Sequence, residues 1–165
     1  MKKNILMILA LLLISCMNVY CQKIVMNEQT KLNEMNIEKS ITKDKGDLFD
    51  KIFEWLPNYY TSPSSTVKFS DKNKGKIIYI GTWEKKEKRI FGTLFYTMTF
   101  NIEDNKYTCN ITNFHSMYTI NGGQVVTNSQ KIYFEQKLVG KKKLFENTET
   151  NIYKAFEDLN SFIEK

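Results

Sequence analysis

The sequence predicts an α+β fold, in which an antiparallel sheet carries two helices on one of its faces. The first observation is that apolar and polar side chains alternate over residues 89–102, which is the period of a strand. The alternation returns over residues 107–112 after a turn at 104–105, so the two strands form a hairpin. Apolar residues also recur at helical spacing over residues 48–59 and 152–163. Because two amphipathic helices need an apolar surface and the sheet offers one, we expect both helices on that face.

The first 21 residues have the organisation of a signal peptide. Lys2 and Lys3 form a positive n-region, and residues 5–14 are an apolar run too short to span a bilayer. Two kinds of processing remain open. Small residues before Gln22 predict a mature chain that begins there, and we favour this because a polar c-region follows the apolar run. Alternatively, Leu-Ile-Ser-Cys resembles the lipobox of bacterial lipoproteins, in which case Cys16 is lipidated.

Either form of processing takes the protein out of the cytoplasm. We expect a periplasmic or secreted protein, or alternatively a lipoprotein that touches the membrane only through its lipid. Nucleic acid and nucleotide cofactors are then not expected as partners. Cleavage at Gln22 removes two lysines and lowers the formal net charge from +6 to +4, which is mildly basic and favours solubility. Cys109 is then the one remaining cysteine, so no internal disulfide forms.

The segments that follow the leader can be taken in order. Residues 22–34 are polar and weakly periodic, which predicts a flexible lead-in. Partial alternation over residues 35–41 predicts the first strand. The first helix is expected over residues 44–56, capped by Thr42 or Asp44.

The middle of the chain reads as strands separated by polar turns. Pro57 lies at the expected end of the first helix, where the loss of a backbone donor does least harm. The segments that come next are a loop (61–65), a short strand (67–71), a turn (72–75), a strand (76–83) and a charged tip (84–88).

The end of the chain combines an insertion with a helix. Residues 116–146 are read as an insertion, in which Asn-Gly-Gly at 121–123 is a hairpin signal. The last helix follows, with Asn147 or Thr148 as its cap. The predicted order is therefore β-α-β-β-β-β-insertion-α, within a single domain over residues 35–165.

Three segments of the chain are similar to a known family. They are residues 47–56, which end in Trp-Leu; residues 71–78, which contain Gly-Lys-Ile; and residues 96–107, which hold the turn Asp-Asn-Lys-Tyr. Together they resemble a bacterial cell-envelope domain of unknown function described as having a TATA-binding-protein-like (TBP-like) fold, over about residues 37–115. The resemblance implies a curved antiparallel sheet with its helices on one face. It carries over no site residue, and a shared fold does not imply DNA binding.

The polar side chains of the hairpin are the candidate binding residues. Alternation places them on the face opposite to the apolar set, as a broad surface of hydroxyl and amide groups. They are Thr97, Thr99, Asn101, Thr108, Asn110 and Thr112. This set lacks the lysines and arginines that phosphate contacts require, which again excludes nucleic acid.

The sequence contains no recognisable catalytic set. His115 is the single histidine, so neither a pair of histidines for a metal nor a metal site of any standard spacing is predicted. Cys109 and His115 occupy odd positions of one strand, about 20 Å apart, which is too far for a Cys-His couple. Glu103 and Asp104 are adjacent carboxylates, but they belong to a turn. No cofactor motif occurs.

Two functions follow as hypotheses. The first is a non-catalytic envelope module that binds a protein, peptide or glycan through the open sheet face or the insertion. The second is a hydrolase whose carboxylates are brought together by the fold, and a cleft with two facing carboxylates would favour it. Four aromatic residues are candidates for exposure at the surface: Tyr59, Tyr60, Trp83 and Phe95.

Overall fold

The structure, a computed structural model, describes residues 24–28, 33–87, 90–120, 123–127 and 141–165. The predicted signal peptide and its lipidation alternative lie outside these residues. Within them the chain forms seven strands and two helices. In chain order these are β1 (Val25–Met26), β2 (Asn33–Ser40), α1 (Lys45–Tyr59), β3 (Thr66–Asp71), β4 (Lys76–Glu87), β5 (Ile90–Glu103), β6 (Lys106–Ile120), β7 (Gly123–Thr127) and α2 (Lys141–Glu164).

The strands form one antiparallel sheet in the order β1-β2-β6-β5-β4-β3. The long hairpin of β5 and β6 lies at its centre. The outer edge of β6 is shared by two partners, because β2 pairs with its first part and β7 with its last part. The centre predicted from alternation is therefore confirmed.

Both helices cover the same face of the sheet, as predicted. Side chains of α1, α2 and β5 belong to one buried cluster, in which the rings of Phe100 and Phe156 lie 5.9 Å apart. The indole of Trp55 on α1 donates a hydrogen bond of 2.7 Å to Asp158 on α2. The six side chains expected to share this core do so: Leu48, Ile52, Met98, Phe100, Phe156 and Leu159. Neither helix in the described chain is long and apolar enough to cross a membrane.

The first helix begins where the sequence predicts and ends later. Asp44 is the N-cap, and its side chain accepts a hydrogen bond of 2.9 Å from the backbone N–H of Asp47. The helix continues through Pro57 to Tyr59, rather than ending at residue 56. Near a helix end Pro57 removes only one intrahelical bond, and the next turn still closes through Tyr60 N–H to the Leu56 carbonyl at 3.0 Å.

The predicted lead-in and the predicted insertion both differ from the sequence expectation. In the predicted lead-in, β1 pairs with β2, and the N–H of buried Ile24 donates to the Glu149 carboxylate at 2.9 Å. In the predicted insertion, residues 116–120 extend β6 and residues 123–127 form β7. The last helix starts at Lys141, so Thr148 is a buried helical residue instead of a cap. Pairing and packing partners far along the chain hold these segments, which local periodicity does not report.

A β-bulge at Asn113 resets the alternation of β6. The pairing of β5 with β6 shifts between Phe95 and Thr97, and Asn113 takes a left-handed conformation with φ of 55°. After the bulge Phe114 is buried, and His115 pairs with Phe95 on the opposite face. Cys109 and His115 therefore lie on opposite faces, not on the same face as their odd numbers imply.

Two turns and the start of α1 meet at one place, here called the turn corner and made of Lys45, Gly75, Ile102 and Asp104. The backbone N–H of Ile102 donates to the Gly75 carbonyl at 2.7 Å. The backbone N–H of Lys45 donates to the Asp104 carboxylate at 2.8 Å. The turn corner thus joins all three segments that carry the family resemblance, or their immediate neighbours.

Candidate functional site: the open face of the sheet

The sheet face opposite to the helices, here called the open face, carries all six predicted binding residues. Their neighbours along β5 and β6 are buried under the helices, while the six are partly or fully exposed. The alternation of side chains along each strand produces this division. The six are Thr97, Thr99, Asn101, Thr108, Asn110 and Thr112. The structure therefore brings them together on one surface, as their spacing predicts.

Cross-strand register arranges the open face into rows that run from β3 towards β2. The central row is Phe69, Ile78, Thr99, Asn110 and Asn36. The row on one side is Thr66, Ile80, Thr97 and Thr112. The row nearest the turn corner is Asp71, Lys76, Asn101, Thr108 and Glu38. Within these three rows, charged side chains occur only in the last.

Hydrogen bonds hold the polar side chains of the open face in place. The Asn110 amide donates to the Asn36 side-chain oxygen at 2.6 Å, across the boundary between β6 and β2. The Asn113 amide at the bulge donates to the Thr97 hydroxyl at 3.3 Å. Side chains fixed in this way lose less conformational freedom on binding than free ones.

The β3 side of the open face is apolar, which the sequence reading missed. A second bulge, between Val67 and Phe69, turns Phe69 to this face, and its side chain is 40% exposed. It joins Ile78 and Ile80, which are half-buried. The available signal was that apolar residues occupy even as well as odd positions of β4, so that both faces of this strand carry apolar groups.

The aromatic residues marked for exposure divide between the two sides of the sheet. Phe95 is half-buried on the open face, where its ring stacks on His115 with centroids 4.8 Å apart. Tyr59, Tyr60 and Trp83 lie on the helix side and border a cleft of about 540 Å³. We call it the aromatic cleft; its lining is Tyr59, Tyr60, Thr61, Ser62, Pro63, Thr82, Trp83, Glu84, Tyr96, Asn151 and Ala155.

Buried hydroxyl and thiol groups of the core are not suited to acid-base work. Burial raises the pKa of Tyr60, Tyr96 and Tyr107 above the ordinary tyrosine value, so all three stay neutral at physiological pH. Burial also raises the pKa of the Cys109 thiol well above its usual range. Since the thiolate is the reactive form, Cys109 is an inert core residue.

The described carboxylates do not form the facing pair that the hydrolase hypothesis requires. The described lining of the aromatic cleft contains one carboxylate, Glu84, and not two facing each other. Backbone N–H groups lower the pKa of Asp44 and Asp71, which is opposite to the shift of a general acid. In the described ranges no group of three or more His, Cys, Asp or Glu side chains is placed to hold a metal ion.

Comparison with protein-family models gives a match over residues 23–116 to a domain of unknown function with TBP-like fold, DUF4468. The chain belongs to this family. The match covers α1, the turn corner, β5 and most of β6, and it extends the segment expected from the sequence at both ends. A comparison with curated proteins gave no match.

Two solved structures have the same fold. A TBP-like protein from Parabacteroides distasonis superposes with a TM-score of 0.71 at 18% identity, covering 88% of this chain and 98% of that one. A DUF4468 family protein from Bacteroides ovatus gives 0.65 at 13% identity, covering 89% and 92%. The predicted TBP-like architecture is thereby confirmed. Neither comparison names an activity, so function has to be argued from the surfaces.

Proposed function

We propose that this DUF4468 protein is a non-catalytic binding module of the bacterial cell envelope, and that its open face contacts another envelope protein. The observation that carries the proposal is the composition of the open face: an uncharged centre, an apolar side and a charged rim. Known protein interfaces are built in this way, with charged residues depleted from the core and concentrated at the margin.

The apolar side of the open face supplies the part of the interface whose burial contributes the most favourable free energy of binding. Phe69, Ile78 and Ile80 lie next to each other through direct pairing of β3 and β4. Beside them, Thr97 and Thr99 present hydroxyls on the neighbouring strand. A partner surface that covers this junction buries apolar area while it keeps hydrogen-bonding groups for orientation.

The charged rim orients the partner and is nearly balanced. Lys106 and Glu38 form an ion pair of 3.5 Å at the turn-corner end of the open face, and Lys76 pairs in register with Asp71. A surface that binds nucleic acid instead needs a stripe of unpaired cations to meet phosphates. The balanced rim therefore supports a protein partner over a nucleic acid.

The envelope location rests on the leader. Lys2, Lys3 and the apolar run of residues 5–14 support export, with a mature chain from Gln22 or a lipid on Cys16. In either form Ile24 follows closely and is held against α2 through Glu149. A lipidated protein would consequently sit near the membrane, joined to it by a tether of a few residues.

The test introduces one positive charge into the centre of the open face. We expect Thr99→Lys to abolish capture of the partner from envelope extracts by immobilised mature protein. Ser161→Lys makes the same charge change on the exposed side of α2 and should leave capture intact. Both variants should melt at the temperature of the unaltered protein.

Two results contradict the proposal. Equal capture by Thr99→Lys and Ser161→Lys shows that the partner binds elsewhere. Unfolding of Thr99→Lys, with Ser161→Lys stable, shows that the open face is covered within the protein itself and is not a docking surface. A proximity cross-linker placed at Asn101, on the exposed end of the face, gives the independent readout: partner adducts are expected there and not from Ser161.

A further inference from the structure

The aromatic cleft lies where the edge of β4 loses its neighbour. The pairing of β3 with β4 ends at Thr66 and Ile80, although β4 continues to Glu87. Beyond that point the end of α1, the 61–63 segment and α2 surround the strand. The cleft volume of about 540 Å³ falls within the roughly 300–1,000 Å³ that is usual for small-molecule sites.

The cleft has a rigid aromatic floor. The Tyr96 hydroxyl donates to the Tyr60 hydroxyl at 3.1 Å, and the two rings meet edge to face. Gly81, paired with Tyr96 across the strands, leaves space for that ring: an added Cβ would lie 2.7 Å from Tyr96 Cε2. The floor is therefore specified by the sequence and does not need a ligand in order to form.

Two further rings border the opening of the cleft. Tyr59, at the end of α1, is 39% exposed, and its inner side stacks on Trp55 at 4.8 Å. Trp83, on β4, is half-buried and borders the cleft from the side of the strand. Both rings combine an apolar body with a polar tip, which suits a ligand with one apolar face and a hydrogen-bonding periphery.

The polar groups of the lining narrow the chemical class of the ligand. The hydroxyls of Thr61 and Ser62 can both donate and accept hydrogen bonds. Among the residues that the structure describes, the lining contains no lysine, arginine or histidine, which disfavours a phosphate or another anion. The two rings at the opening, with the single described carboxylate residue of the lining, Glu84, also fall short of the closed aromatic box that holds a quaternary ammonium.

We propose that the aromatic cleft binds a neutral sugar unit of a glycan. A pyranose ring presents axial C–H groups on one face, which pack on an aromatic ring, and hydroxyls around its edge, which both donate and accept hydrogen bonds. Tyr59 and Trp83 supply the ring surfaces, and the side chains of Thr61 and Ser62 supply partners for the sugar hydroxyls. The two rings of this site lie on the helix side of the sheet, opposite to the protein-binding surface proposed above.

The experiment screens the mature protein on an array of neutral oligosaccharides and then titrates the bound sugars by calorimetry. Tyr59→Ala should weaken the affinity at least about tenfold. Phe53→Ala is the matched control, since it removes a ring of similar exposure (40%) from the same helix outside the cleft. Thr99→Lys on the open face should leave sugar affinity unchanged, which separates this test from that of the protein partner.

Trp83 provides a spectroscopic readout of the same event. The chain has two tryptophans, and Trp55 is buried, so sugar should shield Trp83 selectively from iodide quenching. Absence of array binding overturns the proposal, as does equal affinity of Tyr59→Ala and Phe53→Ala. Saturable binding of tetramethylammonium that Glu84→Gln abolishes also overturns it, because the cleft is then a cation site.

Discussion

Gly75→Ala is the substitution that tests most directly how the fold is held together. Gly75 has φ of 64°, a left-handed conformation that an alanine adopts at a cost of about 1 kcal/mol. An added Cβ would also overlap the carbonyl oxygen of Ile102 and come within 2.7 Å of Lys45 Cε. The Lys45 side chain can move aside, but the Ile102 carbonyl is part of the backbone at the end of β5, a central strand of the sheet. The backbone therefore has to move.

That movement breaks the hydrogen bond of 2.7 Å from Ile102 N–H to the Gly75 carbonyl. A lost intramolecular hydrogen bond costs about 1 kcal/mol, and the displaced strand end adds strain of similar size. We therefore expect Gly75→Ala to lower the free energy of unfolding by about 2–4 kcal/mol. For a domain of this length that is a fall in melting temperature of roughly 5–15 °C.

Two further variants make the result interpretable in urea and thermal unfolding. Gly46→Ala makes the same chemical change in the first turn of α1, at ordinary φ, and should stay within about 1 kcal/mol of the unaltered protein. Gly75→Asn relieves the dihedral penalty but not the overlap, so it should remain nearly as unstable as Gly75→Ala. Equal stability of Gly75→Ala and Gly46→Ala would refute the role of the turn corner.

The remaining predictions concern the core, the helix cap and the leader. Met98→Ala should destabilise by about 2–5 kcal/mol in urea unfolding, and Thr99→Lys by less than about 1 kcal/mol, because only Met98 is buried. The N–H of Asp47 lowers the pKa of Asp44 in the folded state, so the cap stabilises above the ordinary carboxyl pKa and is lost as pH falls through the folded value. Asp44→Ala should accordingly lower the melting temperature at neutral pH and make little difference in strong acid, whereas Asp44→Asn keeps an uncharged cap and should show a weaker pH dependence. Intact mass from the native host should start at Gln22; a diacylglyceryl adduct on Cys16 would select the alternative, and a retained first residue would reject both.

Sequence periodicity predicts the two faces of the sheet well where pairing is regular. From residue 94 to residue 111 every predicted apolar position is buried. The prediction fails at Asn113, because a bulge depends on the register between β5 and β6 and not on the local alternation of apolar and polar residues. Phe69 reaches the open face for the same reason. At neither position does the residue type or its neighbourhood in the sequence indicate a bulge.

The aromatic cleft could not be predicted from the sequence, for a different reason. Its lining comes from four stretches of chain, around residues 60, 83, 96 and 153, which only the packing of α2 against α1 brings together. The sequence identifies Tyr59 and Trp83 as candidates for exposure, but nothing in it shows that the two rings lie close together. The six open-face residues were predictable because a single hairpin carries all of them.

The turn corner and the two proposed sites differ in what the sequence has to provide. In the turn corner the contacts use backbone atoms of Gly75, Ile102 and Lys45, so one glycine and one carboxylate suffice to keep it. The open face and the aromatic cleft are defined by side chains alone. A fold held by backbone contacts tolerates extensive side-chain replacement, which fits TM-scores of 0.65–0.71 at 13–18% identity. We therefore expect members of the family to share the turn corner and to differ in their binding partners. A ligand found for one member has to be tested separately on the open face and the aromatic cleft of another.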